Sequence, residues 1–484
     1  MGIVKGKTGD WQIVIGLEVH AQIKSQTKLF SHGDASFGGE PNAHVDFLDA
    51  GFPGILPILN HRCVDQAIKS GLAIQGTINH KSVFDRKNYF YPDLPTGYQI
   101  SQFFEPLVQN GKLTIKGDDG KEKVIRINRI HIEQDAGKST HDIDPYYSYI
   151  DYNRAGVGLM EIVTEPDLGS PDEAVSFFKK LRTLLRYIDT CDGNMEEGSL
   201  RADANISLCR PGAAWGTRCE IKNLNSMTFL KKALEYEIMR QMEILDNGEA
   251  VDQETRLFNT KTGETKMMRN KENSEDYRYF PDPDLIPLML SQERINAIAL
   301  ELPELPDARQ KRYESLGIKE ADALILSEEK EVSIFFDEAL EYIQSNPQLL
   351  ANWVIVELFS VLNKENLTIA ESKISPQNLG QLVGLISEGI ISGKIAKDVF
   401  EIMWKTCGNP VEIVEEKGLK QISDPALIHE VIVKVLAQNV DKVEEYKSGK
   451  QQLFGFFVGM VLKEFEGKAH PELVNEGLRK LLSV

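Results

Sequence analysis

A chain of 484 residues with 42% hydrophobic content can bury a sizeable core and is long enough for two to four domains. Its net charge of −18 disfavours non-specific nucleic-acid binding, so an RNA partner must be held by local basic patches, shape or bridging metal ions. Cys63, Cys191, Cys209, Cys219 and Cys407 contain no C-x-x-C pair and no apolar run reaches ~18 residues, which argues against a disulfide framework, a zinc ribbon and a membrane span and fits a reducing, cytoplasmic setting.

The first periodic segment is "IVIGLEVHAQ", residues 13 to 22. A strand sends successive side chains to opposite faces, so Ile13, Ile15, Leu17 and Val19 share one face while Glu18, His20 and Gln22 share the other. Next, "DRKNYFYPDLPTGYQISQ" (85–102) mixes Arg86, Lys87 and Asn88 with Tyr89, Phe90, Tyr91 and Tyr98. Interleaved cations and rings suit an RNA end, where bases stack and phosphates pair; an aromatic core beside a turn explains them about as well.

"IHIEQDAGKST" (130–140) ends like a phosphate-cradling loop, but Ile132 stands where that loop needs its first glycine, and Pro145 with its neighbouring tyrosines makes a poor phosphate-facing helix. What remains is His131, Glu133 and Asp135 on one face against Ile130 and Ile132. A helix is predicted over 170–188, where Ser170 can cap, Pro171 suits the first turn and Asp172 and Glu173 favour the N-terminus. "SLRADANISLC" then alternates Leu200, Ala202, Ala204, Ile206 and Leu208 with Arg201, Asp203, Asn205 and Ser207, and "RCEIKN" places Glu220 with Lys222. A second helix runs from a Ser226 cap to Gly248, and "EDYRYFPDPDLIP" again joins a cation, Arg278, to aromatic rings. Beyond about residue 290 strand signals nearly vanish, and "CGNP" at 407–410 reads as a joint before a last helical module.

The layout is α+β followed by all-α. Any single alternating segment is what a half-exposed antiparallel sheet shows with no chemistry at all. Four acid-bearing segments together would repel unless a cation joined them, and hard divalent ions carrying nucleotide phosphates are the natural occupants.

Seven motifs, in order, carry a resemblance: "VIGLEVHAQI", "DRKNYFYPDLPTGYQISQ", "IHIEQDAGKST", "DYNRAGVGLMEIVTEPD", "MEEGSLRADANIS", "EIKNLNSM" and "EDYRYFPDPDLIPL". They resemble the GatB/GatE family, to which the B subunits of bacterial glutamyl/aspartyl-tRNA amidotransferases belong. The resemblance implies an antiparallel-sheet cradle over 1–290, similar to the glutamine synthetase and guanidino kinase fold. A helical domain over 291–409 and a YqeY-like helical tail over 410–484 would follow. It further implies that ATP phosphorylates the side-chain carboxylate of misacylated Glu-tRNA(Gln) or Asp-tRNA(Asn), after which ammonia displaces phosphate; a tRNA-presenting scaffold is the alternative. The ammonia would come from a glutaminase (amidase) A subunit, with a small C subunit completing the complex.

Carried over by motif, Glu18, His20, Glu133, Asp203 and Glu220 are the implied divalent-metal ligands, with Glu133, Asp203 and Glu220 central to catalysis. His20 and its acidic neighbours would hold one ion and the remaining carboxylates a nucleotide-linked Mg²⁺. Arg86, Lys87, Asn88, Tyr89, Tyr91, Asn153, Arg154, Arg201, Lys222, Asn223 and Asn225 are implied contacts to ATP or the aminoacyl end. Gln134 departs from the E-E-D reading of many members and could ligate only through its amide oxygen. Some members carry four cysteines in the early loop; Ser31, Gly33, Asp46 and Asp49 stand there instead, so no zinc finger is expected. The tail, 411–484, carries −2 against −16 for the remainder, and Lys450, Lys463 and Lys468 are its implied tRNA contacts. Gly455 and Gly459, four apart on one predicted helix, allow a close approach, by a packing helix or by tRNA.

Overall fold

The computed structural model describes residues 2–482 except 142, 271–273, 423, 466 and 467; the side chains at 223, 269, 270, 274 and 275 also lie outside the description. Two compact units divide the chain, Met1–Leu305 and Pro306–Val484.

The first unit opens with β1 (Ile3–Gly6), β2 (Gly9–Gln22), β3 (Thr77–Ile78), β4 (Lys81–Ser82), β5 (Asp85–Asn88), β6 (Tyr98–Ser101), β7 (Val108–Lys116) and β8 (Glu122–Gln134). It continues with β9 (Lys138–Thr140), β10 (Tyr149–Asp151), β11 (Gly158–Thr164), β12 (Leu200–Cys209), β13 (Cys219–Leu224), β14 (Glu254–Asn259), β15 (Glu264–Asn270), β16 (Phe280–Pro281) and β17 (Leu288–Met289). Ten of these form one sheet in the order β15-β14-β13-β12-β2-β11-β8-β7-β3, with β1 paired to β2. β2 is its spine, flanked by β12 and β11.

Four helices, α1 (His61–Ala73), α2 (Pro171–Tyr187), α3 (Met227–Asp246) and α4 (Gln292–Leu300), bury their apolar sides in the same core as one face of this sheet. Ile15, Leu17, Val19, Ile130, Ile132, Met160, Ile162, Ala202, Ala204 and Ile206 meet Val64, Phe177, Phe178, Leu181, Leu230 and Leu234 there. Each large side chain so buried contributes roughly 1.5–3 kcal/mol, which pins the register: a one-residue slip would turn the whole apolar set to solvent. α2 begins as its sequence predicts, with Ser170 Oγ accepting from the Glu173 N–H and Pro171 in the first turn. α3 does not. Ser226 holds the cap position with extended backbone, yet its hydroxyl accepts no helix N–H.

The sheet is mixed rather than wholly antiparallel, because β13 and β14 pair in parallel. The reason is the 20-residue helix α3 between them, which returns the chain to the same end of the sheet, as parallel pairing requires. A separate three-stranded sheet, β16-β5-β6, carries the first basic-aromatic motif.

The second unit is helical and holds two apolar clusters, one spanning Tyr313 to Val414 and the other Ile428 to Leu482. Cys407, at φ 55°, ends one helix and Asn409 caps the next, whose Ile413 and Val414 still belong to the first cluster. In the tail, among the described residues nothing lies within 4 Å of where a Cβ would stand at Gly455 or Gly459, so no described helix packs on them. Among the described residues no helix is long and apolar enough to cross a membrane.

Candidate functional site

The period-two alternation leaves the other face of the sheet polar, and the register decides who meets whom. His20 stands opposite Glu161 of β11 and Arg201 of β12, while Glu18 stands opposite Val163 and Asp203. Glu161 in turn faces His131 of β8, and Asn205 faces Glu220 of β13.

Two acidic groups result. In the first, His20, Glu133 and Glu161 bring one ligand atom each within 4.8 Å of one another. His131 Nε2 lies 3.3 Å from Glu161 and 3.6 Å from Glu133, and Ser101 Oγ donates to Glu133 at 3.0 Å. Burial opposes a charge on His131, but Glu161 and Glu133 outweigh it and raise its pKa to about 9, so the ring is cationic at neutral pH. The same pairing, with His20 and Lys87 assisting, holds Glu161 well below the usual carboxylate range against the cost of burial. His20 Nδ1 is buried without a hydrogen-bond partner. One imidazole and two ionised carboxylates form a donor set suited to a divalent cation.

In the second group Lys222 Nζ lies 3.2 Å from Asp203 Oδ2 and 3.1 Å from Glu220 Oε1. Glu220 also accepts from Thr255 Oγ at 3.1 Å, and Glu18 from Asn205 Nδ2 at 2.9 Å. Glu18 is pushed up by its own burial and then by Glu161, Glu220 and Asp203. Lys222 resists burial: Asp203, Glu220 and Glu18 together keep it well above the ordinary lysine range. The five carboxylate and histidine candidates therefore share one face but divide into two neighbourhoods. Glu161 completes the first and went unread, although its signal was present as the single charge in the apolar run "GLMEIVT", with Met160 and Ile162 turned to the core.

The remaining candidates sort by what they touch. Asp135, buried, accepts from Gln22 at 3.0 Å and Arg201 at 3.1 Å, and lies 3.5 Å from Arg154. Burial works against its ionisation, yet Arg201 and Arg154 hold its pKa at about 2. Arg154 also donates to the carbonyls of Ala136 and Gly137, and Asn153 ties the early loop through His44 N–H and the Glu40 carbonyl. The Gln134 amide oxygen accepts from the Ile100 N–H of β6 at 3.1 Å. Arg86 is taken up by Asp282 and Asp284, each at 2.8 Å, and lies 4.2 Å over the Tyr98 ring. Asn88 donates to the carbonyls of Tyr277 and Arg278, which binds the two basic-aromatic motifs to each other. Tyr89 donates to Gln99, with the Tyr91 ring 5.8 Å away. Of that motif, Lys87 couples to the first acidic group: burial opposes its charge, and Glu133 foremost keeps its pKa well up. Asn225 is exposed, and the Asn223 side chain lies outside the described residues.

A cavity of about 260 Å³ opens beside Glu18, lined among others by Gly16, Val163, Asn205, Trp215 and Arg218. Its wall depends on Gly216, where an added Cβ would stand 2.1 Å from the Leu208 carbonyl oxygen. Gly216→Ala is therefore expected to lift the loop carrying Trp215 off β12 and to weaken any ligand of this cavity about tenfold, measured by titration of the purified chain with nucleotide. Unchanged affinity would mean that the loop plays no part.

With the geometry in place, comparison with known proteins decides the family. A model of the GatB/GatE catalytic domain matches residues 13–296, and one of a GatB domain matches 334–482. The chain belongs to the GatB/GatE family. It is 56% identical over 483 residues to the B subunit of the aspartyl/glutamyl-tRNA(Asn/Gln) amidotransferase of Rickettsia felis, covering 100% of both chains. The B subunits of the same description from Rickettsia rickettsii and Rickettsia bellii are 55% and 54% identical, again over 100% of each chain.

Within this GatB/GatE chain, the early-loop residues Ser31, Gly33, Asp46 and Asp49 surround a lysine. Lys28 Nζ, fully buried, lies 2.8 Å from Asp49; Ser31 Oγ and the Asp46 N–H also donate to Asp49, at 2.9 and 3.0 Å. Lys28 N–H closes the loop onto the Gly33 carbonyl at 3.0 Å. Burial pulls the Lys28 pKa down and Asp49 restores part of it.

Proposed function

We propose that this chain is the carboxylate-activating subunit of an amidotransferase that converts Glu-tRNA(Gln) or Asp-tRNA(Asn), or both, to the amide. The observation that carries the reading is the His20, Glu133 and Glu161 cluster, set on a sheet face beside a second acidic group and a cavity. His20, Glu133 and Glu161 would hold one divalent ion; Glu18, Asp203 and Glu220 would face the phosphates of ATP in the adjoining cavity. The bound ion would neutralise charge on the transferring phosphoryl group.

The chemistry explains the need for such a face. A carboxylate is a poor electrophile because oxide would have to leave. Its oxygen attacks the γ-phosphorus, ADP departs, and ammonia then attacks the acyl carbon with loss of phosphate and a proton. Positioning and electrostatic stabilisation supply most of the catalysis in such transfers. Lys87, kept cationic against burial foremost by Glu133, would balance the negative charge that gathers there. The tyrosines around it supply stacking surface for the tRNA end: the Lys87 ammonium lies 5.1 Å from the Tyr277 ring centre.

Further elements of the proposal are a cytoplasmic complex with an amidase A subunit and a small C subunit, a cradle over 1–290 of the glutamine synthetase and guanidino kinase type, and a tRNA-contacting tail over 410–484. In that tail Lys463 is exposed and Lys450 is paired with Glu445 at 3.2 Å. Deleting 424–484, which leaves Ile413 and Val414 in the first helical cluster, is expected to raise the KM for tRNA by at least about tenfold, roughly 1.4 kcal/mol, while glutamine hydrolysis by the assembled complex is unaffected. Steady-state kinetics with each misacylated tRNA check this; an unchanged KM would remove the tail from tRNA binding. The assay that tests the whole reading offers the assembled complex ATP, Mg²⁺, glutamine and misacylated tRNA. ADP release dependent on the misacylated tRNA supports it, and amide formation without ATP consumption defeats it.

A further inference from the structure

An anionic substrate is repelled by an acidic sheet face unless a cation there has charge to spare. The cross-strand row His131, Glu161, His20 and Arg201, one residue from each of β8, β11, β2 and β12, sets both signs of charge side by side. In the His131 group one ring meets two carboxylates, Glu161 at 3.3 Å and Glu133 at 3.6 Å, and in the Lys222 group one ammonium meets Asp203 and Glu220. At the Arg201 end the ratio is reversed. Two guanidiniums, those of Arg201 and Arg154, converge on the single carboxylate of Asp135, at 3.1 and 3.5 Å.

The two arginines are not equivalent. Arg154 donates through Nε and a terminal nitrogen to the carbonyls of Ala136 and Gly137, which commits it to its own loop. Arg201 gives Asp135 one N–H from each terminal nitrogen, at 3.4 and 3.1 Å, and these are its hydrogen bonds among the described residues. A guanidinium carries five N–H groups in one plane, so three remain. Asp135, its side chain 2% exposed, also accepts from Gln22 and from the Ala136 N–H, each at 3.0 Å, and is held in place by all of them. Its carboxylate therefore fixes the plane of the guanidinium, while the Arg201 side chain remains 20% exposed. The result is an oriented, accessible cation whose strand position is opposite His20.

Resting on the carboxylate-activating reading given above, we propose that Arg201 reads the ionised side-chain carboxylate of the aminoacyl group, and so distinguishes the acid that enters from the amide that leaves. A carboxylate offers acceptors only, and a fixed guanidinium edge meets it with charge-assisted hydrogen bonds. The amide has one oxygen and an NH₂ group whose hydrogens face the arginine's own, donor against donor, and it carries no charge. Arg201 thus holds the acid and loses its grip once the amide has formed. Discrimination of this kind comes from polar groups that the wrong ligand leaves unpaired, which penalises it more than a missing methylene would.

The test measures the affinity of the assembled complex, without ATP, for tRNA(Gln) in three forms: glutamyl and glutaminyl, each joined through a hydrolysis-resistant 3′-amide, and uncharged. Aspartyl, asparaginyl and uncharged tRNA(Asn) are run in parallel. For at least one of the two pairs the wild type is expected to bind the acid form at least about tenfold more tightly than the amide form. Arg201→Gln is expected to bring that ratio close to one with the affinity for uncharged tRNA unchanged, and Arg201→Lys, which keeps a charge but not the planar fork, to retain part of the preference. A merely structural role would weaken all three forms together and leave the ratio standing. That outcome overturns the proposal, as does a wild type with no preference for either acid. Should Arg201→Gln fail to fold by circular dichroism, Arg201→Gln with Asp135→Asn, which also removes the buried carboxylate charge, carries the same expectation and the same refutation. Failure of the carboxylate-activating reading shows separately, as a wild type that releases no ADP on misacylated tRNA, because the affinity ratio is read without ATP.

Discussion

Glu161→Gln in the assembled complex is expected to lower ATP-dependent activation of misacylated tRNA by about 10²–10³-fold in kcat, equivalent to roughly 3–4 kcal/mol of barrier. Its carboxylate is shared by His20 at 3.7 Å and His131 at 3.3 Å, and lies with Glu133 in the only His/Cys/Asp/Glu cluster of cation-binding geometry among the described residues. Removing its charge weakens the donor set for the divalent ion and at once relieves much of what keeps His131 protonated, so the local balance changes by more than one charge. Glu133→Gln acts on the same cluster and is expected to match it, with the double variant little worse than either single one, since groups that act as a unit are not additive. ADP release and tRNA binding measured side by side decide the matter. Lost ADP release with retained tRNA affinity is the expected pair of results; full activity in both variants would leave the chain as a scaffold that presents tRNA to chemistry performed elsewhere.

The largest effect on stability is expected at the centre of the early loop. Lys28→Met removes the ammonium from a pair in which both side chains are inaccessible, 0% and 1% exposed. Asp49 would keep the Ser31 hydroxyl and the Asp46 N–H, yet its charge would stand buried without a counter-ion. Breaking a buried pair from one side costs about 3–5 kcal/mol, which for a unit of this size lowers the melting temperature by roughly 5–8 °C. Replacing both partners, Lys28→Met with Asp49→Leu, is expected to recover most of the loss, because no charge is then left buried. Differential scanning calorimetry of the two variants separates the outcomes. Equal melting temperatures for Lys28→Met and the wild type would mean that the loop does not depend on the pair.

How much of this could be read beforehand follows from the kind of information involved. Alternation along β2, β8 and β12 is local: a strand turns every second side chain to one face, so the polar faces of Glu18, His20, His131, Glu133, Arg201 and Asp203 were legible from the chain alone, as were the start of α2 at Ser170 and the helical character of the chain beyond about residue 290. The ordered motifs were legible for a different reason, since their length makes family membership a matter of residue identity, independent of geometry.

Distances across strands were not legible. They depend on register between segments far apart in sequence, and on the irregularity between Ala202 and Ala204 that sets Lys222 against Asp203. Register is what brought Glu161 beside His20 and His131, separated the carboxylates into two groups, and turned Gln134 toward β6. The fate of the cations was decided the same way. Arg86, Lys87, Lys28 and Lys222 are chemically similar on paper, and only the tertiary fold determines which carboxylate each one meets. Charge pairing acts through space, at a range of a few ångströms, whereas periodicity acts along the chain; the chain by itself therefore determined the faces and the family, and the folded sheet decided the partners.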